Sequence, residues 1–189
     1  MAVTNTTPAD YTASKGFRGA IAEINPLLES KISWLDTAYG VAELRRIERN
    51  EKESLYLGRY PAVMLDDEEY KNMLPDTHLG NYCFWKIEER PVELSDFYAF
   101  ADFSVIFFFD HKDIVDAGYS AYGNAKRDIR TAFRRLGATK AGVRLTSIDE
   151  GFDKVYEGYD INKVDGIELM YPNGALRVNG IIRMNAKEC

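Results

Sequence analysis

The residues that could carry chemistry are two cysteines, two histidines and one run of four acids. A zinc site needs Cys or His ligands at short spacing, and neither His78 nor His111 has such a neighbour. The run Asp66–Glu69 could hold a hard cation, but its spacing is not that of a calcium-binding loop. The alternative is an exposed acidic tip. We expect no metal site in this chain.

The recurring motifs of catalysis and nucleotide binding are missing from the sequence. There is no GxGxxG after a predicted strand, no GxxxxGK[ST] loop and no GxSxG turn. Cys83 lies in an apolar stretch far from Cys189, which favours a reducing compartment over a disulfide framework. Tyr156 and Tyr159 are interpreted as packing or interface residues. The sequence therefore predicts no enzyme, no catalytic residue and no cofactor.

Composition and charge are those of an ordinary single-domain protein. The chain has 189 residues, and 30 acidic against 24 basic side chains give a net charge of −6 at pH 7. That charge argues against general nucleic-acid binding but leaves room for a local basic stripe. The polar start of the chain has no signal-peptide pattern, and no stretch of about 20 apolar residues occurs. We expect a soluble protein made in the cytosol, with no membrane span.

Residues 1–14 are rich in Thr, Asn and Ala and are predicted to form a flexible arm. The alternative is an arm that becomes ordered on a neighbouring subunit. Residues 15–189 are predicted to form a single α+β domain.

The stretch Ala101–Asp110 (ADFSVIFFFD) is the strand around which this domain is organised. Side chains alternate between the two faces of a strand. One face is therefore wholly apolar, whereas the other is apolar only in its middle and carries acids at both ends. This pattern predicts a central strand with helices on one face and partial cover on the other.

Two helices are predicted to provide that cover. Apolar residues recur at helical spacing over Phe17–Leu35, with a kink or restart expected at Asn25-Pro26. Asp113–Leu136 has the stronger pattern, which is most regular from Tyr122 onwards. Its opposite face carries a basic stripe, formed by Lys126, Arg127, Arg130 and Arg134. The stripe could meet DNA phosphates, acidic residues of a neighbouring copy, or only solvent.

The remaining strands complete the predicted fold. Ser54–Leu65 and Asn81–Leu94 are expected to form an antiparallel meander with the organising strand. Gly142–Ile148 and Ala175–Met184 are predicted strands, and Gly151–Ile161 is a loop or an edge strand. The fold class is therefore α+β, a mainly antiparallel β-sheet packed against an N-terminal helix and a central amphipathic helix.

This layout resembles the tail terminator (tail-completion) proteins of long-tailed bacteriophages. The resemblance is carried by the strand FADFSVIFFFDHKD (100–113), which leads into the helix around AKRDIRTAFRRLG (125–137), and by the closing segment GFDKVYEGYDI…YPNGALRVNGIIRM (151–184). It covers most of Phe17–Met184.

The resemblance implies a structural protein of the virion, located in the tail or neck and assembled in the host cytoplasm. Such proteins are not enzymes, and they form a ring, typically of about six copies, on the tail tube. The ring stops tube polymerisation and offers a surface for joining the head. The implied partners are further copies of the chain, the tail-tube protein and a neck or head-completion protein. DNA would pass nearby without specific binding.

A ring subunit must present complementary faces to its neighbours. The expected subunit interface pairs two charged groups, an acidic one (Asp66, Asp67, Glu68 and Glu69) and a basic one (Lys126, Arg127, Arg130 and Arg134). The polar face of the last strand, with Arg177, Asn179 and Arg183, is expected to border the lumen. Two other functions stay open: a head–tail adaptor or tail-tube subunit, and a small α/β enzyme or ligand-binding domain with a pocket under Gly151–Ile161.

Overall fold

The computed structural model of the protein describes residues 16–51, 54–65, 69–75, 77–87, 93–94, 98–114, 120–136, 142–160 and 172–185. The predicted arm, residues 1–14, lies outside these ranges. The helices are α1 (Phe17–Lys31), α2 (Ala121–Leu136) and α3 (Phe152–Val155). The strands are β1 (Thr37–Val41), β2 (Glu43–Glu51), β3 (Ser54–Met64), β4 (Tyr70–Asn72), β5 (Tyr82–Ile87), β6 (Glu93–Leu94), β7 (Tyr98–Asp110), β8 (Gly142–Asp149) and β9 (Asn173–Asn185). None of the described helices is long and apolar enough to cross a membrane.

The main sheet has the strand order β1-β5-β7-β9-β8, and β6 pairs with the beginning of β7. β1 runs parallel to β5, and the other neighbouring strands are antiparallel. β7 lies at the centre, and its whole length pairs with β9. Within the described residues, β1 and β8 form the two edges. The predicted organising strand is thus the central strand, and the mainly antiparallel α+β fold is confirmed.

The two faces of β7 are covered as the alternation predicts. Phe103, Phe107 and their same-face neighbours are buried in one large cluster with residues of α1 and α2. There the ring of Phe103 stacks on that of Phe133 from α2, with 6.3 Å between the ring centroids. The other face is buried around Phe108, whereas Asp102 is only half-buried. One face therefore carries the helices and the other is partly covered.

A second sheet corrects part of the predicted strand order. β3 does not belong to a meander with β5 and β7, but forms a separate three-stranded sheet in the order β2-β3-β4. β2 and β3 make a hairpin with nine paired positions. The Met73 N–H donates to the Pro61 carbonyl at 2.8 Å. Pro61 has no N–H that could donate back to Met73, and β4 ends at Asn72, the residue before Met73. Pro61 therefore limits the length of β4.

α1 continues through Pro26 without the predicted restart. The residue before it, Asn25, is buried, and its amide donates to the backbone carbonyls of Ala38 and Tyr39 in β1, each at 3.0 Å. Trp85 of β5 donates its indole N–H to Asn25 Oδ1 at 2.7 Å. The helix is thus fastened to the sheet next to the position where proline removes one of its own hydrogen bonds.

The segment predicted as a loop or an edge strand, Gly151–Ile161, contains the short helix α3. The turn after this helix buries Tyr156 and Tyr159 against the second face of the main sheet. Arg177 of β9 donates to the carbonyl of Glu157 at 3.0 Å and holds this turn in place. Both tyrosines therefore pack inside their own chain.

Candidate functional site

A groove of about 430 Å³ lies between α2 and the edge strand β8. Apolar side chains from both elements form its floor: Phe133, Val143, Leu145 and Ile148. Arg130 and Arg134 of α2 border that floor, and the lining also includes Arg144 of β8, whose side chain leaves the strand on the face opposite to Val143 and Leu145. We call this feature the α2–β8 groove.

The sequence pattern of α2 explains why two of these arginines border the groove. The Ser120 hydroxyl accepts a hydrogen bond from a backbone N–H of the first turn at 3.1 Å and so caps the start of the helix. The predicted apolar stripe is buried against the sheet, with Ile129 and Phe133 almost fully covered. Arg130 and Arg134 each follow one of these two residues, and both side chains are exposed at the border of the stripe.

A bulge in β8 shapes the other wall of the groove. Leu145 and Ser147 pair with adjacent residues of β9, so Thr146 has no partner there. Leu145 and Ile148 are three positions apart and would face opposite ways in a regular strand. Because of the bulge, both pack against the cluster beneath α2, whereas Ser147 accepts a hydrogen bond from Asn179.

Two members of the predicted basic stripe have partners within the chain. Lys126 forms an ion pair with Glu150, which directly follows β8. Arg127 donates to Asp128 at 3.2 Å, and Asp128 also accepts from the indole of Trp34. These contacts lie outside the groove, and the first of them ties α2 to the end of its neighbouring strand.

The three arginines of the groove make no hydrogen bond or ion pair with any residue that the structure describes. All three are exposed. Positive charges beside an apolar floor attract an anionic partner more strongly than charges fully surrounded by water, because the local dielectric constant is lower. Guanidinium groups also bind carboxylates or phosphates through two parallel hydrogen bonds. The groove can therefore receive an anion.

Only the last residue of the predicted acidic group belongs to the described part of the chain. Glu69 is exposed, and Asp66, Asp67 and Glu68 lie outside the described residues. The Leu65 N–H donates to the Glu69 carbonyl at 2.8 Å and so links the ends of β3 and β4. This second sheet adjoins β1, the edge of the main sheet opposite to β8. Glu69 therefore lies beside the sheet that adjoins β1, whereas the basic stripe lies on α2.

The three residues predicted to border a lumen do not share one open surface. Arg177 is buried beneath the turn after α3, where it donates to the Glu157 carbonyl. Asn179 is half-buried and donates to Asp149 Oδ2 at 2.6 Å. Of the three, only Arg183 is exposed. The expectation that all three border a lumen is corrected for Arg177, because the turn after α3 covers it.

Cys83 and His111 are parts of the packing. Cys83 is fully buried, and burial raises the pKa of its thiol, with the carboxylate of Glu29 acting in the same direction. The ring of His111 stacks on Phe109, and partial burial lowers the pKa of His111. Among the described residues, no group of three or more His, Cys, Asp and Glu side chains is placed to hold a metal ion.

Sequence reasoning missed Arg144, and the local pattern gave no signal for it. Arg144 alternates with Val143 and Leu145 in a strand that is separated from α2 by five residues. No protein-family model matches the sequence, and no curated protein sequence is significantly similar to it. The groove and the distribution of charge therefore carry the functional proposal.

Proposed function

We propose that this protein is a structural protein of a virion, a tail terminator that forms a ring on the tail tube and joins it to the neck or head. The observation that supports this best is the contrast between the two edges of the main sheet. The β8 edge borders three exposed arginines, whereas the β1 edge adjoins the sheet in which the β3–β4 connection carries Asp66–Glu69.

Opposite charges on opposite edges favour head-to-tail contacts between copies. Such a contact joins two different surfaces, so every copy keeps one surface of each kind for its neighbours. Repetition closes into a ring when the rotation between copies divides a full turn, and otherwise gives an open filament. A closed ring suits a terminator, because it has no end to which a further copy adds. Arg183 remains our candidate for a residue that borders the lumen, since it is exposed.

Light scattering on the purified full chain across a wide concentration range tests this proposal. We expect one discrete species of about six subunits, or a monomer that converts to it, and a ring of matching size in negatively stained micrographs. Twelvefold rings or open tubes would favour the adaptor or tail-tube alternative. A monomer that persists at the highest concentration would contradict the proposal and favour a ligand-binding domain.

A further inference from the structure

We propose that the α2–β8 groove is the receptor for the acidic segment Leu65–Tyr70 of a second copy of this chain. The inference rests on the proposed function, because it identifies the contact by which copies would join. From the sequence, the acidic residues were expected to meet the basic stripe along α2. Here their partner is a groove formed jointly by α2 and the edge strand β8.

The charges of the two surfaces match. The groove presents the guanidinium groups of Arg130 and Arg134, which are not paired within the described residues, and the segment carries four consecutive carboxylates. Lys126 and Arg127 are excluded from this surface, since Glu150 and Asp128 already pair with them. Four carboxylates stand against two guanidinium groups, so each of these arginines has a carboxylate partner.

The chemistry of the groove also fits a peptide segment better than a small ion. Its apolar floor extends over four side chains of α2 and β8, which is more than one oxyanion covers. The acidic segment is flanked by Leu65 and Tyr70, so it offers apolar groups next to its carboxylates. An apolar contact that excludes water strengthens the neighbouring charge pairs.

The positions of the two surfaces make the contact intermolecular. β1 and β8 are four strand spacings apart, which amounts to about 19 Å across the sheet. The residues that follow the acidic run are held near β1, where Tyr70 bonds Glu43 and Lys71 bonds Tyr39. A segment anchored there meets the groove of a neighbour, and the contact is head-to-tail.

Charge reversal tests this contact by sedimentation velocity on the full chain. Arg130→Glu/Arg134→Glu and Asp66→Lys/Asp67→Lys should each weaken self-association at least about tenfold, because each places like charges across the contact. Arg127→Glu is the control, since it reverses one charge on the same helix outside the groove, and it should assemble like the wild type.

Mixing the two reversed variants gives the sharper result. In an alternating assembly, the two introduced glutamates of one variant's groove meet the two introduced lysines of the other variant's segment, and the remaining contacts are of wild-type charge. The mixture should therefore recover the assembly that neither variant forms alone. If Arg130→Glu/Arg134→Glu alone assembled like the wild type, the groove would not be the contact between copies. The proposal that the chain forms a ring would still stand.

A peptide experiment decides the inference even if the wild-type chain does not assemble. A labelled peptide of residues 62–72 should bind the wild-type protein in fluorescence anisotropy, and the same peptide with Asn and Gln in place of its four acids should not. Binding should be lost in Arg130→Glu/Arg134→Glu and kept in Arg127→Glu. Absence of binding would overturn the inference. Tighter binding of inorganic phosphate or duplex DNA at the same arginines would overturn it too, in favour of a polyanion site.

Discussion

Asn25 fastens α1 to two strands of the main sheet, and its replacement by alanine tests how strongly that contact stabilises the fold. Its amide donates to the carbonyls of Ala38 and Tyr39, and its oxygen accepts from Trp85 Nε1. A net contribution of about 1 kcal/mol per hydrogen bond predicts that Asn25→Ala lowers the free energy of unfolding by about 3 kcal/mol. That is a large share of the ~5–15 kcal/mol that stabilises a typical domain.

Urea unfolding followed by circular dichroism measures this loss, and an unchanged m-value would show that only stability has changed. Glu23→Ala, on the exposed side of the same helix, is the control and should stay within about 0.5 kcal/mol of the wild type. In a double-mutant cycle with Trp85→Phe, the pair should show a coupling of about 1 kcal/mol. A loss below about 1 kcal/mol for Asn25→Ala, without coupling to Trp85, would refute the reasoning.

Asn25→Asp separates hydrogen bonding from packing, because the two side chains have nearly the same shape. The carboxylate would face two backbone carbonyls in a buried site, which raises its pKa above the value of about 3.9 for an exposed Asp. A raised pKa in the folded state means that stability is retained at low pH and lost as the pH rises through that pKa. The variant should therefore be closest to the wild type near pH 4, and a pH-independent difference in urea unfolding would contradict this.

Three further predictions concern other buried positions. The Tyr156 hydroxyl is buried without a hydrogen-bond partner among the described residues, so Tyr156→Phe should raise the free energy of unfolding by about 1 kcal/mol in urea. Because burial raises the pKa of Tyr156, the wild type should also lose more stability than this variant above about pH 10, where the unfolded chain ionises first. Gly180→Ala would place a Cβ 2.4 Å from the Arg144 carbonyl oxygen. The variant should therefore lower the free energy of unfolding by about 2 kcal/mol or more and weaken binding of the acidic peptide. Unchanged stability and unchanged peptide binding would contradict the tight contact. In the Cys189→Ser variant, Cys83 should react with a thiol reagent only as fast as the protein unfolds, because burial keeps its thiol protonated. Rapid labelling of Cys83 in the folded protein would contradict this.

The central strand and the amphipathic helix were predictable because each has one strongly apolar face. In β7 the alternation places Phe103, Phe107 and their neighbours on one face, and the structure buries that face under the helices. In α2 the three-and-four spacing of Ile129 and Phe133 leads to the same result. A periodic pattern of this strength determines both the type of element and its orientation in the core.

The pairing of the strands could not be predicted in the same way. β2 reads ELRRIERNE and has no apolar alternation, so its hairpin with β3 is not indicated by any buried face. The parallel pair of β1 and β5 joins segments about 45 residues apart, with Thr37 opposite Tyr82, and local periodicity gives no information on such a partner. Arg144 was missed for the same reason, since its position beside α2 depends on which edge of the sheet β8 occupies.

The two edges of the main sheet are protected in different ways. At β1, side chains of α1 occupy backbone groups of the strand: Glu29 accepts from the Ala38 N–H at 2.7 Å, and Asn25 donates to the carbonyls of Ala38 and Tyr39. Backbone groups that already have partners are not available to an added strand.

At β8 the protection comes from a charged residue, Arg144, and from the bulge at Thr146, both of which oppose unselective strand pairing. This leaves the β8 edge accessible mainly through its side chains, and those side chains are basic. A partner would then be recognised by its carboxylates and not by its backbone. Recognition of this kind weakens with salt and can be restored by exchanging charges between partners, whereas backbone pairing would respond to neither. Restoration by mixing the two charge-reversed variants therefore distinguishes the two ways in which a second copy could meet this edge.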